Sequence, residues 1–289
     1  MAHIKDRSGK IIASDGNQSR ALKFLYDSIA GNIALKGLTA PLISQLAGAF
    51  CDSTLSQSLI PKFIETANID LTEYEAGYYN SFNDFFTRKI IPGARPIDMT
   101  PDHLVSPCDS KLTVYPIDDD SIFEIKGVSY HIEQFLKSEK LAEKYKGGHF
   151  CVFRLEVGDY HRYMYFDNGF KSKSRHIKGF YHTVNPIALE KTDIYRENTR
   201  EYTILHTENF GRVIMAEVGA MLVGRIENHH KGRHRFRRGD EKGMFKYGGS
   251  TVVLIFERDN VEFDADILRN SLDGFEMVVK MGERIGSGK

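Results

Sequence analysis

The segment Lys242-Gly243-Met244-Phe245-Lys246-Tyr247-Gly248-Gly249-Ser250-Thr251 runs directly into the apolar stretch VVLIFE, residues 252–257. Gly-Gly-Ser ahead of a strand is ordinary turn composition, because glycine supplies the positive φ that tight turns need. The same residues also permit chemistry. With no side chain on Gly249, the Gly249–Ser250 peptide can be distorted and approached closely, and the Ser250 hydroxyl can attack the preceding carbonyl if a base takes its proton. An N-to-O acyl shift followed by β-elimination would cut the chain there and leave a pyruvoyl group on residue 250. The base must come from elsewhere in the sequence.

The basic run His229–Arg238, HHKGRHRFRR, carries five Lys/Arg and three His in ten residues. It reads as a solvated loop or strand edge, as a surface for anionic headgroups, or as a nucleic-acid contact, in that order. A metal site from His229 and His230 is not expected, since adjacent side chains on a strand point to opposite faces. Cys51, Cys108 and Cys151 are odd in number, widely spaced and in no CxxC pair, so neither a disulfide framework nor a cysteine zinc site is indicated.

The elements that must position these groups fall into two textures. From residue 19 to about 65 the pattern is helical, with Leu22, Leu25, Tyr26 and Ile29, then Leu42, Ile43, Leu46 and Phe50, recurring at helical spacing around Pro41. Such amphipathic helices either pack on the rest of the protein or lie on a membrane. After Phe82 the chain turns to short β-branched and aromatic runs: Leu112–Tyr115, Phe150–Leu155, Thr203–Leu205, Arg212–Val218 and Thr251–Glu257. One helical insertion is expected over 131–145. The class is therefore α+β, a helical N-terminal segment over 1–75 followed by a mostly antiparallel, sandwich- or barrel-like β body over 76–289.

Composition sets the outer limits. The 289 residues carry 39 Lys+Arg against 39 Asp+Glu, a formal net charge of zero, which disfavours a surface given over to nucleic acid. With 27% charged and 11% aromatic residues the chain is a folded one, far from disordered compositions. The polar start MAHIKDRSGK lacks the apolar core of a signal peptide, and the most apolar stretch, 33–50, is interrupted by Lys36, Gly37, Pro41, Ser44 and Gln45. A protein peripheral to the cytoplasmic face of a membrane, not secreted, is the expectation.

Eight motifs in order carry a family resemblance: FNDFFTRKI (82–90) with ARPID (94–98), SPCDSK (106–111), GDYHRYM (158–164), TVNPIAL (183–189), NTREYT (198–203), EVGAMLVGRI (217–226), GDEKGMFKYGGST (239–251) and MGERIG (281–286). Over these residues, from about Phe82 to the C-terminus, the chain resembles the phosphatidylserine decarboxylase proenzymes, which depend on a pyruvoyl group. The resemblance implies that Ser250 is the self-cleavage nucleophile and pyruvoyl precursor. It implies cleavage between Gly249 and Ser250 into a β chain ending at 249 and an α chain of 250–289, which stay together as a heterodimer. Asp109 would be the carboxylate of an Asp-His-Ser relay, and His161 the histidine that moves protons in the mature enzyme. The substrate implied is phosphatidylserine at a membrane surface, with no metal. A homo-oligomer is left open.

Two positions depart from the family's pattern. Where it resembles DYHRxH, this chain has His161 but Met164 in place of the second histidine, the usual relay base. A thioether cannot shuttle a proton. If 160–164 is a strand, residues 161 and 164 face opposite sides, whereas in a turn His161 reaches the site. Ser110 stands where glycine usually follows the aspartate. Three outcomes are open: His161 or another histidine such as His182 serves as base, cleavage is slow, or the protein never matures and acts as a lipid-binding homologue. Decarboxylation of a free amino acid on the same fold is a further alternative.

Overall fold

The computed structural model describes residues 3–12, 41–118, 122–125, 128–178, 199–219, 225–246 and 250–289. His182, the TVNPIAL motif and Gly249 lie outside the described residues.

The chain opens with two short strands, β1 (His3–Lys5) and β2 (Ile11–Ile12), joined by a turn in which Gly9 takes φ +85°. The expected helical N-terminal segment is thus preceded by two short strands that the sequence reading did not include. Three- and two-residue strands are too short to show an alternation. Helical structure follows at Pro41–Asp52 and Ile60–Thr66, joined by a 3₁₀ segment at Thr54–Leu59, and a short helix covers Phe82–Phe86. Ser81 caps that helix by accepting from the Asp84 N–H.

Next come β3 (His103–Val105), β4 (Ser110–Pro116), β5 (Ile122–Ile125) and β6 (Val128–His131). The expected insertion is two short helices, Ile132–Leu136 and Glu139–Ala142, with a 3₁₀ turn to Tyr145. The body continues as β7 (His149–Leu155), β8 (Arg162–Met164), β9 (Gly169–Lys171), β10 (Arg175–Ile177), β11 (Arg200–Thr207), β12 (Arg212–Val218), β13 (Ile226–Asn228), β14 (His234–Phe236) and β15 (Glu241–Phe245). The last part of the chain holds β16 (Ser250–Phe256), β17 (Val261–Phe263), the helix Ala265–Leu272, β18 (Phe275–Val279) and β19 (Arg284–Gly288).

Eleven of the described strands form one sheet in the order β14-β9-β11-β12-β16-β7-β4-β18-β1-β2, with β10 also on β11. All its pairings are antiparallel except β1 on β18. Its central strand, β16, is buried at every residue, as a continuous apolar run covered on both faces should be. One cluster, including Phe135, Phe150, Ile214 and Ile255, fills one side under the helical insertion. The other, including Leu112, Phe153, Met215, Leu254 and Phe256, lies on the opposite side with the small sheets β13-β15-β8 and β17-β19-β3. The α+β class and the mostly antiparallel body expected from the sequence are both present.

The last forty residues do not form a separate layer. β16 lies between β12 and β7, β18 between β4 and β1, and β19 between β17 and β3. The N-terminal arm adds Arg7, whose guanidinium meets Asp264 at 2.9 Å and Asp266 at 2.6 Å.

Candidate active site

Ser250 is the first residue of β16, paired in register with Leu155, the last of β7, and fully buried. Beyond Leu155 the chain reverses at Glu156–Asp159 and returns through Tyr160 and His161 into β8. The reversal is pinned from the neighbouring strand. Lys111, on β4, reaches both Asp159 carboxylate oxygens at 2.9 Å and Glu156 at 3.1 Å, and Asp159 accepts the Glu156 N–H at 2.7 Å. Burial pushes the Asp159 carboxyl up, with Lys111 pulling against it.

The reversal brings His161 Nδ1 to 3.0 Å from Ser250 Oγ. With the ring proton on Nε2, Nδ1 accepts the serine hydroxyl hydrogen, the geometry a general base needs. The ring stacks on Phe86 at 4.0 Å between centroids, and Phe86 packs with Phe82, Cys51 and Phe63 of the helical segment. His161 is fully buried. Desolvation first, then the charge of Arg88, lower its pKa to about 3, while the carbonyls of Val157 and Glu156 pull the other way. The imidazole is therefore neutral at physiological pH. Its backbone is held as well, because the Phe245 N–H at the end of β15 donates to the His161 carbonyl at 2.9 Å. Phe245 and Ser250, on either side of the cleavage motif, are thus both tied to one residue.

Asp109 is placed differently from the relay reading. Its carboxylate takes Arg95 Nε at 2.9 and 3.0 Å, Arg95 Nη2 at 2.7 Å and the Met281 N–H at 2.8 Å, with Lys280 at 3.5 Å. Burial alone would raise its pKa; Arg95, Lys280 and the Met281 amide outweigh that and hold it low. Among the described residues, no hydrogen bond joins Asp109 to His161, whose Nε2 has no partner. The structure brings Ser250 and His161 together and leaves Asp109 in an ion-paired set of its own.

Met164 ends β8, 2% exposed, within the cluster that includes Cys108, Tyr163 and Phe245, and its N–H donates to Pro107. Its side chain is part of the apolar core. β8 begins only at Arg162, so His161 belongs to the approach to the strand, outside its alternation. Ser110 is buried in regular pairing with Val279. Cys108 is also buried, and desolvation pushes its thiol well up, away from reactivity.

Three further groups escaped the motif reading. Lys111 and Arg95 sit in SPCDSK and ARPID as plain matched letters, and only the fold shows what they hold. Glu217, of EVGA, meets Lys242 at 2.6 Å in a fully buried pair, and Asn228 bonds both partners at 2.9 and 3.0 Å. Gly243 is required beside it, because a Cβ there would overlap the Glu227 carbonyl oxygen and the Tyr163 hydroxyl. The basic run is divided in use: Arg238 is buried on the carbonyls of Asp98, Thr100 and Pro101, His230 stacks on His234, and Lys231, Arg233, Arg235 and Arg237 are exposed.

Comparison with known proteins agrees with the order of these motifs. The family model described as phosphatidylserine decarboxylase matches residues 82–287. Phosphatidylserine decarboxylase proenzyme 2 of Clostridium acetobutylicum is 47% identical over 266 residues, covering 92% of this chain and 91% of the relative. The proenzyme of Ruminiclostridium cellulolyticum is 43% identical over 93% of this chain and 91% of its own. That of Clostridium perfringens is 39% identical over 98% of this chain and 99% of its own, a match that includes the N-terminal helical segment as well as the β body. With end-to-end similarity of this kind, and a serine held on a histidine at the head of the central strand, the chain belongs to the phosphatidylserine decarboxylase family.

Proposed function

We propose that this protein cuts itself between Gly249 and Ser250, carries the resulting pyruvoyl group at residue 250, and decarboxylates phosphatidylserine to phosphatidylethanolamine. The observation that carries the reading is the 3.0 Å contact between His161 Nδ1 and Ser250 Oγ. In the precursor, neutral His161 takes the hydroxyl proton as Oγ attacks the carbonyl of residue 249, and the peptide becomes an ester; β-elimination opens it to a carboxylate on residue 249 and a dehydroalanine at 250, which water hydrolyses to the pyruvoyl group with loss of ammonia. Met164 is not needed for this step, because His161 already occupies the base's position. Asp109 acts at one remove, by fixing Arg95 and the Met281 backbone.

Ser250 fits the group it would become. It is fully buried at the head of a strand held on both sides, so residue 250 keeps its place when the preceding bond is broken. Bound there, a pyruvoyl group supplies a carbonyl that takes up the substrate amine and withdraws electrons as carbon dioxide leaves. His161, in the same contact, is placed to return a proton. The two chains, 1–249 and 250–289, remain together because β16 and β18 of the shorter one each lie between two strands of the longer, and β19 pairs with its β3.

A membrane-surface role is supported by the apolar face of the helical segment, where Leu46, Phe50, Leu55 and Leu59 are 62%, 45%, 76% and 43% exposed. No helix among the described residues is long and apolar enough to cross a membrane. The four exposed cations of the basic run add an attraction for anionic lipid.

Intact-mass measurement of wild type and Ser250→Ala tests the first half. Two fragments meeting at 249/250 in wild type, and one chain in the variant, are expected. Release of carbon dioxide from phosphatidylserine micelles, with free serine turned over far more slowly, tests the second. An uncut wild-type chain after prolonged incubation would defeat the proposal.

A further inference from the structure

Arg88 differs from three other buried arginines, each of which meets a carboxylate. Arg95 meets Asp109 and Glu73, Arg154 meets Glu276 and Glu156, and Arg238 meets Asp167. Arg88 is 2% exposed and meets no carboxylate among the described residues. Its Nη1 and Nη2 approach the carbonyls of Phe85 and Gly158 at 3.5 and 3.3 Å, beyond the usual hydrogen-bond range, and Nε has no partner. The guanidinium lies over the rings of Tyr74 at 4.1 Å and Phe85 at 5.0 Å.

A cation withdrawn from water is costly unless an anion or a full set of acceptors replaces its hydration. Two aromatic faces, the Tyr74 hydroxyl and two long carbonyl contacts replace only part. The position adds to the argument. Gly158 belongs to the reversal that carries His161, and Phe86, two residues before Arg88, is the ring on which His161 stacks. The other cations around the reversal are engaged, Lys111 by Asp159 and Glu156 and Arg162 by Glu241. Arg88 is left as the cation beside the reacting pair with donors to spare. Ser250 is equally buried in the uncut chain, and the Arg88 charge acts on His161, the residue in contact with it.

We propose that Arg88 is the oxyanion receptor of the mature site and binds the substrate's carboxylate or its phosphodiester through Nε and the loosely held Nη2 donor. This rests on the decarboxylase reading above. A guanidinium's planar fork matches either group, and a buried charge-assisted pair is of the stronger kind.

The test uses Arg88→Gln, which removes the charge, and Arg88→Lys, which keeps it without the fork. Both are assayed as cleaved protein, with rates expressed per pyruvoyl-bearing chain counted by mass. The KM for phosphatidylserine in mixed micelles is expected to rise about tenfold or more in Arg88→Gln and less in Arg88→Lys, with kcat changing much less. Phosphatidylethanolamine, which has the phosphodiester without the carboxylate, separates the two sources as a competitive inhibitor. An inhibition constant that rises with KM assigns Arg88 to the phosphodiester; one that stays constant while KM rises assigns it to the carboxylate. If Arg88→Gln fails to fold or cleave, Arg88→Lys decides alone. A wild-type KM in the variants that mature, or loss of cleavage in both at unchanged thermal stability, overturns the assignment. Absence of turnover in wild type would instead defeat the decarboxylase reading itself.

Discussion

Acid should destabilise the uncut precursor through His161, by an amount the structure sets. The ring is fully buried against Phe86, and its pKa falls from the ordinary 6.5 to about 3. Unfolded, the imidazole takes up a proton as pH drops below 6.5; folded, it does not until about pH 3. The stability it contributes is therefore complete above pH 6.5 and lost progressively as pH falls towards 3. At pH 5 the folded ring is still neutral, so the loss is set by the unfolded chain alone: about 1.5 pH units at 1.36 kcal/mol each, or about 2 kcal/mol.

Urea unfolding of Ser250→Ala, which stays uncut, can be compared at pH 8 and pH 5 with the double variant Ser250→Ala/His161→Gln. Glutamine is close to histidine in volume and does not titrate. The difference between the two proteins' pH effects should be about 2 kcal/mol, and contributions from His149 and other groups cancel. A difference below about 0.5 kcal/mol would refute the picture of a dry, neutral base. The kinetic counterpart is a self-cleavage rate that stays flat from pH 8 to pH 5 while the protein is folded. A base with the ordinary value would lose about thirtyfold over that interval.

Three other outcomes follow from the same geometry. Asp159→Asn leaves Lys111 with only Glu156 and loosens the reversal that aims His161; a stability loss of about 3 kcal/mol in urea and self-cleavage at least tenfold slower by gel densitometry are expected. Lys242→Met strands Glu217 in the core at a similar cost of about 3–5 kcal/mol, and adding Glu217→Gln should recover much of it, as a double-mutant cycle would record. Met164→His puts a polar ring into the apolar cluster, so a loss of about 2 kcal/mol in melting experiments is expected, with a cleavage rate within about threefold of wild type; a tenfold acceleration would show that His161 is not the working base.

The sequence made the β body legible because its long strands carry their own signal. Arg212–Val218 was expected and found residue for residue, and Thr251–Glu257 became Ser250–Phe256. The helical insertion over 131–145 was equally plain. What the pattern could not supply were pairings between distant segments. The arm at His3–Lys5 joins the sheet through β18, some 270 residues later, and a three-residue strand has too few side chains to declare a face.

The site divides along the same line. Motif order gave the identities of Ser250 and His161, since each sits in a stretch whose residue types are constrained together. It did not give which polar groups meet. That is decided by the Glu156–Asp159 reversal, held by a lysine from another strand, and by where β8 begins. One residue's difference in that start takes His161 out of the strand's alternation and onto Ser250. Asp109 illustrates the converse. Its motif marks it as important, yet a carboxylate goes to the strongest donors within reach, and Arg95, fourteen residues earlier, offers a fork that a neutral imidazole cannot match. Such competition is settled in three dimensions, and for this reason the motifs marked Ser250 and His161, which the fold brings together, but not the carboxylate's partner.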